Sequence, residues 1–88
     1  MFEWDEDKNL SNIEKHGVSF EIAKEVFSDP KRLTLLDEDH SQEENRYFCI
    51  GRANGEILTV RFVIRSNKIR IIGAGYWRKG RKIYDERN

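Results

Sequence analysis

The stretch RYFCIGRANGEILTVRFVIR, residues 46–65, decides the fold. Its apolar residues recur at every second position, the period of a strand with a buried face. Asn54-Gly55 breaks the run in the middle. That dipeptide tolerates the two positive φ angles of a two-residue hairpin turn. The reading is two antiparallel strands, RYFCIGRA and EILTVRFVIR. In the second, Leu58, Val60, Phe62 and Ile64 point one way. Thr59, Arg61, Val63 and Arg65 point the other, with Arg61 and Arg65 read as its solvent side.

The same logic extends outward. Ser66-Asn67 predicts another turn, and KIRIIGAG, residues 68–75, a further strand. Gly73 and Gly75 weaken its end and permit a bend or a close approach of backbone or ligand. Upstream, RLTLLDED reads as a strand and DHSQEEN as a polar loop, while MFEWDE alternates Phe2 and Trp4 with acids as a short half-buried strand does. Between them the period changes to that of helices. Asp5 caps the first, Lys15 and His16 fill its last turn, and Gly17 stops it. Leu10 and Ile13 give it a narrow apolar stripe. Ser19 caps the second, whose face is Phe20, Ala23, Val26 and Phe27, and Asp29-Pro30 ends it. RKGRKIYDERN has helix formers but an interior Gly80, so a short or frayed C-terminal helix or tail is expected. The predicted architecture is α+β, a single domain over residues 1–88. Two N-terminal helices pack on the apolar face of an antiparallel sheet of three to four strands.

Charge is split along the chain. Residues 1–60 hold 14 acids against 7 Lys plus Arg, a net of −7; residues 61–88 hold 9 Lys plus Arg against 2 acids, a net of +7. The net charge of zero hides this division. Either the halves occupy different faces, leaving one that attracts polyanions, or strand pairing interleaves and neutralises them. A lone Cys49 suggests a reducing compartment. No apolar leader or membrane-length run is present, and the expectation is a soluble cytoplasmic protein without membrane contact. His16 and His40 lie 24 residues apart, and no cluster has metal-ligand spacing, so neither metal nor other cofactor is expected.

KHGVSFEIAKEVFSDP, LDEDHSQEENRYFCIGRANGEILTVRF, IRIIGAG and RKIYDE, in that order and spacing, resemble the BrnT family of bacterial toxins. The resemblance implies a RelE-like fold and the ribonuclease half of a type II toxin–antitoxin pair. It implies an endoribonuclease that cleaves RNA and inhibits translation and growth. A BrnA-like ribbon-helix-helix antitoxin would neutralise it, and operator DNA would be bound only through the complex. The family commonly continues its last strand as Ile-Ile-Ser-Ala-Arg; here Gly73 and Gly75 stand at the serine and arginine positions. Two alternatives stay beside the enzyme: a toxin-derived module that binds RNA or antitoxin without cleavage, and a structural partner protein using its acidic half.

Metal-free RNA cleavage needs a base for the 2′-hydroxyl, cations for the phosphate and an acid for the leaving oxygen. His16 is either that base or acid, or a cation at a helix C-terminus. His40, in a loop among acids, reads as solvated or partner-facing. Arg70 is a phosphate clamp, or forms a cross-strand salt bridge to a residue such as Glu56 or Asp37; Arg46 carries the same two readings. Tyr84 is a phenolic acid/base or the anchor of the last helix. Tyr76 and Trp77 followed by Arg78, Lys79 and Arg81 have the composition of a single-strand RNA platform. The other reading makes Trp77 core and the cations a solvated helix face.

Overall fold

The hairpin turn falls at Asn54-Gly55, with φ of 51° and 80°. The computed structural model describes residues Met1–Asn88. Its strands are β1 (Phe2–Glu3), β2 (Leu33–Leu36), β3 (Tyr47–Ala53), β4 (Glu56–Arg65) and β5 (Lys68–Gly75), in the order β1-β5-β4-β3-β2. Helix α1 spans Glu6–His16. Helix α2 (Phe20–Ala23) tightens into a 3₁₀ turn at Lys24–Ser28, and α3 spans Arg78–Arg87. The second tight turn, Ser66-Asn67, has φ of 51° and 63° and joins β4 to β5.

The sheet has five strands where three to four were expected, and it is not purely antiparallel. β1 runs parallel to β5, with Phe2 opposite Ile69 and Glu3 opposite Arg70. Aromatic packing accounts for this. The Phe2 ring lies 5.2 Å from Phe27, which in turn meets Phe62 edge-on at 5.1 Å. Burying Phe2 there lays the N-terminal segment along the open edge of β5.

Both faces of the sheet are covered, not one. Leu58, Val60 and Phe62 pack against Phe20, Ala23 and Val26 of the α2 region. Alternation turns Ile50 and Thr59 to the opposite face, where α3 lies. A Cβ at Gly80 would sit 2.9 Å from the Trp77 ring and collide with the Thr59 hydroxyl. The interior glycine that suggested fraying is what lets α3 approach the sheet. Tyr84 then fastens the helix. Its buried hydroxyl donates to Asp29 Oδ2 at 2.6 Å. Asp29 also accepts the backbone N–H groups of Arg52 and Lys31, each at 2.8 Å. Burial alone would raise the Asp29 pKa. The Tyr84 hydroxyl, the two N–H donors and the charge of Arg52 outweigh it and hold the carboxyl below its ordinary value. The bond to Asp29, with burial, pushes the Tyr84 phenol above its ordinary value.

Helix α1 also packs differently from expectation. Leu10 and Ile13 are 56% and 41% exposed, while Asn9 and Asn12 are buried. The cause is a bonding need at β5. β1 covers that edge only at Ile69 and Arg70, so Ala74 has no strand partner on its outer side. The Asn12 amide takes the place of one. It donates to Ala74 O at 2.9 Å, accepts from Ala74 N at 3.2 Å, and donates to Val18 O at 2.8 Å. Asn9 Oδ1 accepts the Phe20 N–H at 2.8 Å, joining α1 to the start of α2.

Asn12→Ala should cost about 3–5 kcal/mol in denaturant melts, because it leaves buried backbone groups unpaired. Leu10→Ala should stay within about 0.5 kcal/mol. Tyr84→Phe should cost roughly 1.5–3 kcal/mol. Asp29, with its lowered folded pKa, contributes stability that is present above its ordinary pKa and lost as pH falls through the folded value. Releasing Asp29 from Tyr84 raises that folded value. The Tyr84→Phe stability curve should therefore fall less steeply than wild type below about pH 4.

Candidate nucleic-acid site

A cavity of about 340 Å³ opens where the C-terminus of α1, the β4–β5 surface and the start of α3 converge. It is lined by His16, Phe48, Thr59, Arg61, Ala74, Gly75, Tyr76 and Trp77. His16 arrives because Gly17, at φ 70°, ends α1 and returns its N–H to Ile13 O at 2.8 Å. Asn12, one turn earlier, holds that end of the helix on β5. The imidazole faces Gly75, where an added Cβ would lie 3.7 Å from His16 Cγ. His16 therefore stands both at the helix C-terminus and in the cavity wall.

The floor comes from β3 and β4. Phe48, Thr59 and Arg61 share the face that α3 covers only in part. Tyr76 and Trp77 form the far wall, with Trp77 at the N-cap position of α3. Its ring rests on Phe48 at 5.3 Å between centroids, yet Trp77 is 37% exposed. It is neither full core nor a free platform. Behind this wall lies a second groove of about 430 Å³ that includes Arg52, Arg78 and Arg81 with Glu56 and Asp85. Helix α3 begins without a side-chain cap or an acid in its first turn, so its N-terminal dipole and cations act together.

Of the residues singled out from sequence, His16 and Trp77 meet at the cavity, and Trp77 shares the second groove with Arg78 and Arg81. Lys79 is exposed on α3. Three others are engaged elsewhere. Arg70 pairs with Glu3 at 3.3 Å, across the β1–β5 register, so its salt-bridge partner is neither Glu56 nor Asp37. Arg46 lines a polar loop groove with His40 and Glu44, and its N–H bonds the Ser41 hydroxyl at 2.9 Å. Tyr84 is buried on Asp29, the arrangement of a helix anchor. His40 sits 2.9 Å from Asp37 Oδ2. Cys49 is buried, and burial pushes its thiol up to about 11, which suppresses the reactive thiolate. No three His, Cys, Asp or Glu side chains gather as metal ligands.

Arg61 is the cavity residue that sequence reasoning set aside. Alternation placed it on the solvent side of β4, which is correct, but that side is the cavity floor. The available signal was its strand partner, Gly73, which offers no side chain to cover it. The two charge readings are each half realised. Arg65 and Arg70 are neutralised by Glu44 and Glu3 from the acidic part of the chain. Arg61, Arg78, Lys79 and Lys82 have no carboxylate at salt-bridge distance, and Arg81 pairs only loosely with Asp85 at 3.8 Å.

No helix is long and apolar enough to cross a membrane. No curated protein matches the chain. The sequence profile of the ribonuclease toxin BrnT of type II toxin–antitoxin systems matches residues 4–80, a span that runs from Trp4 through the cavity to Gly80. The mixed α+β fold agrees with that match, and the chain belongs to the BrnT family of toxins.

Proposed function

We propose that this chain is a metal-independent endoribonuclease, built on a RelE-like fold, that cleaves RNA in the cytoplasm and so arrests translation and growth. The single observation that carries the reading is the meeting of His16 with Trp77 across one open cavity, beside Arg61, which lacks a carboxylate partner. In this reading His16 takes the proton from a 2′-hydroxyl. The 2′-oxygen bonds to the adjacent phosphorus, the 5′-oxygen leaves with a proton from solvent, and a 2′,3′-cyclic phosphate remains. Trp77, wedged on Phe48, offers a free edge and face for a base. Arg78, Lys79 and Arg81 follow the flanking backbone, assisted by the uncapped start of α3.

Membership in a toxin–antitoxin family implies an antitoxin partner. Its proposed form is a BrnA-like ribbon-helix-helix protein that sets acids or a helix against the same cations, with operator DNA bound through the complex. One observation favours a second reading, a binding module without cleavage: Gly75 stands where the family resemblance leads one to expect an arginine.

Cleavage of a long single-stranded RNA by the purified chain, with and without EDTA, tests the enzyme. Equal cleavage in both, leaving cyclic-phosphate ends, is expected; a folded chain that binds RNA and cuts nothing would establish the binding module instead. His16→Ala should lower kcat by roughly 10²–10⁴. His16→Lys should keep the helix-end stabilisation, worth about 0.3–1 kcal/mol, without restoring turnover. Recovery of turnover by lysine would make His16 a mere cation. Trp77→Ala should cost roughly 1–3 kcal/mol in RNA binding. Its folding cost should stay below the about 3–5 kcal/mol of a fully buried ring.

A further inference from the structure

The cavity contains one permanent cation, and its position is set by a missing side chain. Arg61 and Gly73 face each other across the β4–β5 ladder. The pairing shifts there: Arg61 is opposite Gly73 but Phe62 is opposite Ile71, so Ile72 is an extra residue on β5. A bulge of this kind re-aims the side chains beside it. The Arg61 side chain lies across the bare Cα of Gly73. A Cβ there would fall 2.7 Å from Arg61 Cζ and 2.8 Å from Nε. Any other residue at 73 would push the guanidinium away. No carboxylate pairs with Arg61.

A second group in the same cavity lacks a partner. Thr59 lies two residues before Arg61 on the same face of β4. It is 6% exposed, and its hydroxyl has no hydrogen-bond partner. Buried polar groups are rarely left this way unless a ligand or water completes them. The Thr59 hydroxyl is sealed beneath Gly80, so the exposed guanidinium of Arg61 is the open donor of the pair, suited to an acceptor with several oxygens and negative charge.

We propose that Arg61, seated against Gly73, binds the scissile phosphate of RNA. The assignment rests on the ribonuclease reading for the word scissile, and on geometry alone for the phosphate site. The fork of Arg61 meets two non-bridging oxygens. As charge builds during attack, these donors tighten on it. Gly73 is a positioning residue that acts through Arg61.

The test pairs turnover on RNA with titration of a 2′-O-methyl hexanucleotide, which binds but lacks the attacking hydroxyl. Arg61→Gln should lower kcat by about 10²–10³. It should also reduce the log–log salt slope of hexanucleotide binding by about 0.7. Gly73→Ala adds one methyl and displaces only the mobile end of Arg61, so it should reproduce both losses with an unchanged melting curve. The double variant should be no worse than Arg61→Gln alone, because both changes remove one interaction. Arg61→Gln within threefold of wild type in kcat, with an unchanged salt slope, would overturn the site. Losses that multiply in the double variant would overturn the seat at Gly73. If wild type cuts no RNA but Arg61→Gln flattens the salt slope, the ribonuclease reading fails and the phosphate site stands.

Discussion

The Asn12 amide is the constraint on which the rest depends. A two-residue β1 leaves the outer edge of β5 bare at Ala74, and a bare edge inside a protein needs partners for its N–H and C=O. Asn12 supplies both, and its remaining N–H holds the Val18 carbonyl just beyond the turn. One side chain therefore ties α1, the Gly17 turn and β5 together. His16 lies one turn further along the same helix, so the amide that satisfies the sheet also aims the imidazole at Gly75. Packing by Leu10 and Ile13 could not do this, because apolar contact lacks the direction that a two-way amide bond imposes.

The opening itself is made by close approaches. Gly80 admits α3 to the sheet and brings Trp77 over Phe48. Gly73 leaves room for the arm of Arg61. Tyr84 then locks α3 at its far end through Asp29, a carboxylate already caught by backbone N–H groups of Arg52 and Lys31. A helix pinned at one end by a charged bond and at the other by a glycine contact cannot slide. That rigidity keeps the aromatic wall at a fixed distance from His16.

What was legible in the sequence is local. Asn54-Gly55 and Ser66-Asn67 carry their turns in their own φ preferences, and Asp5, Ser19 and Gly17 carry their caps. Strand alternation placed Leu58, Val60 and Phe62 correctly in the core. The misses are all long-range. Asn12 reads as a polar surface residue because its partner is 62 positions away. The parallel pairing of β1 depends on Phe2 reaching Phe27, which no short window reports. Arg61 was assigned to the right face, but whether a face meets solvent, a helix or a cavity depends on where α3 comes to rest. The Gly75 departure drew attention to an arginine lost from β5, while the cation at the cavity enters from the neighbouring strand.

The distribution of satisfied and unsatisfied groups separates stability from function. Asn9, Asn12, Asp29 and Tyr84 are buried and fully bonded, and none contributes a polar group to the cavity. Thr59 and Arg61 are at the cavity and lack partners within the protein. Of the two only the Thr59 hydroxyl is buried, where an unmatched donor costs on the order of 1–3 kcal/mol; Arg61 is exposed and keeps its charge open to an anion. An anion that pairs with Arg61 at the cavity binds the folded chain and not the unfolded one. It therefore stabilises the folded chain in proportion to its occupancy. RNA and an acidic antitoxin surface would compete for the same guanidinium. An antitoxin that covered Arg61 would exclude RNA without distorting the fold.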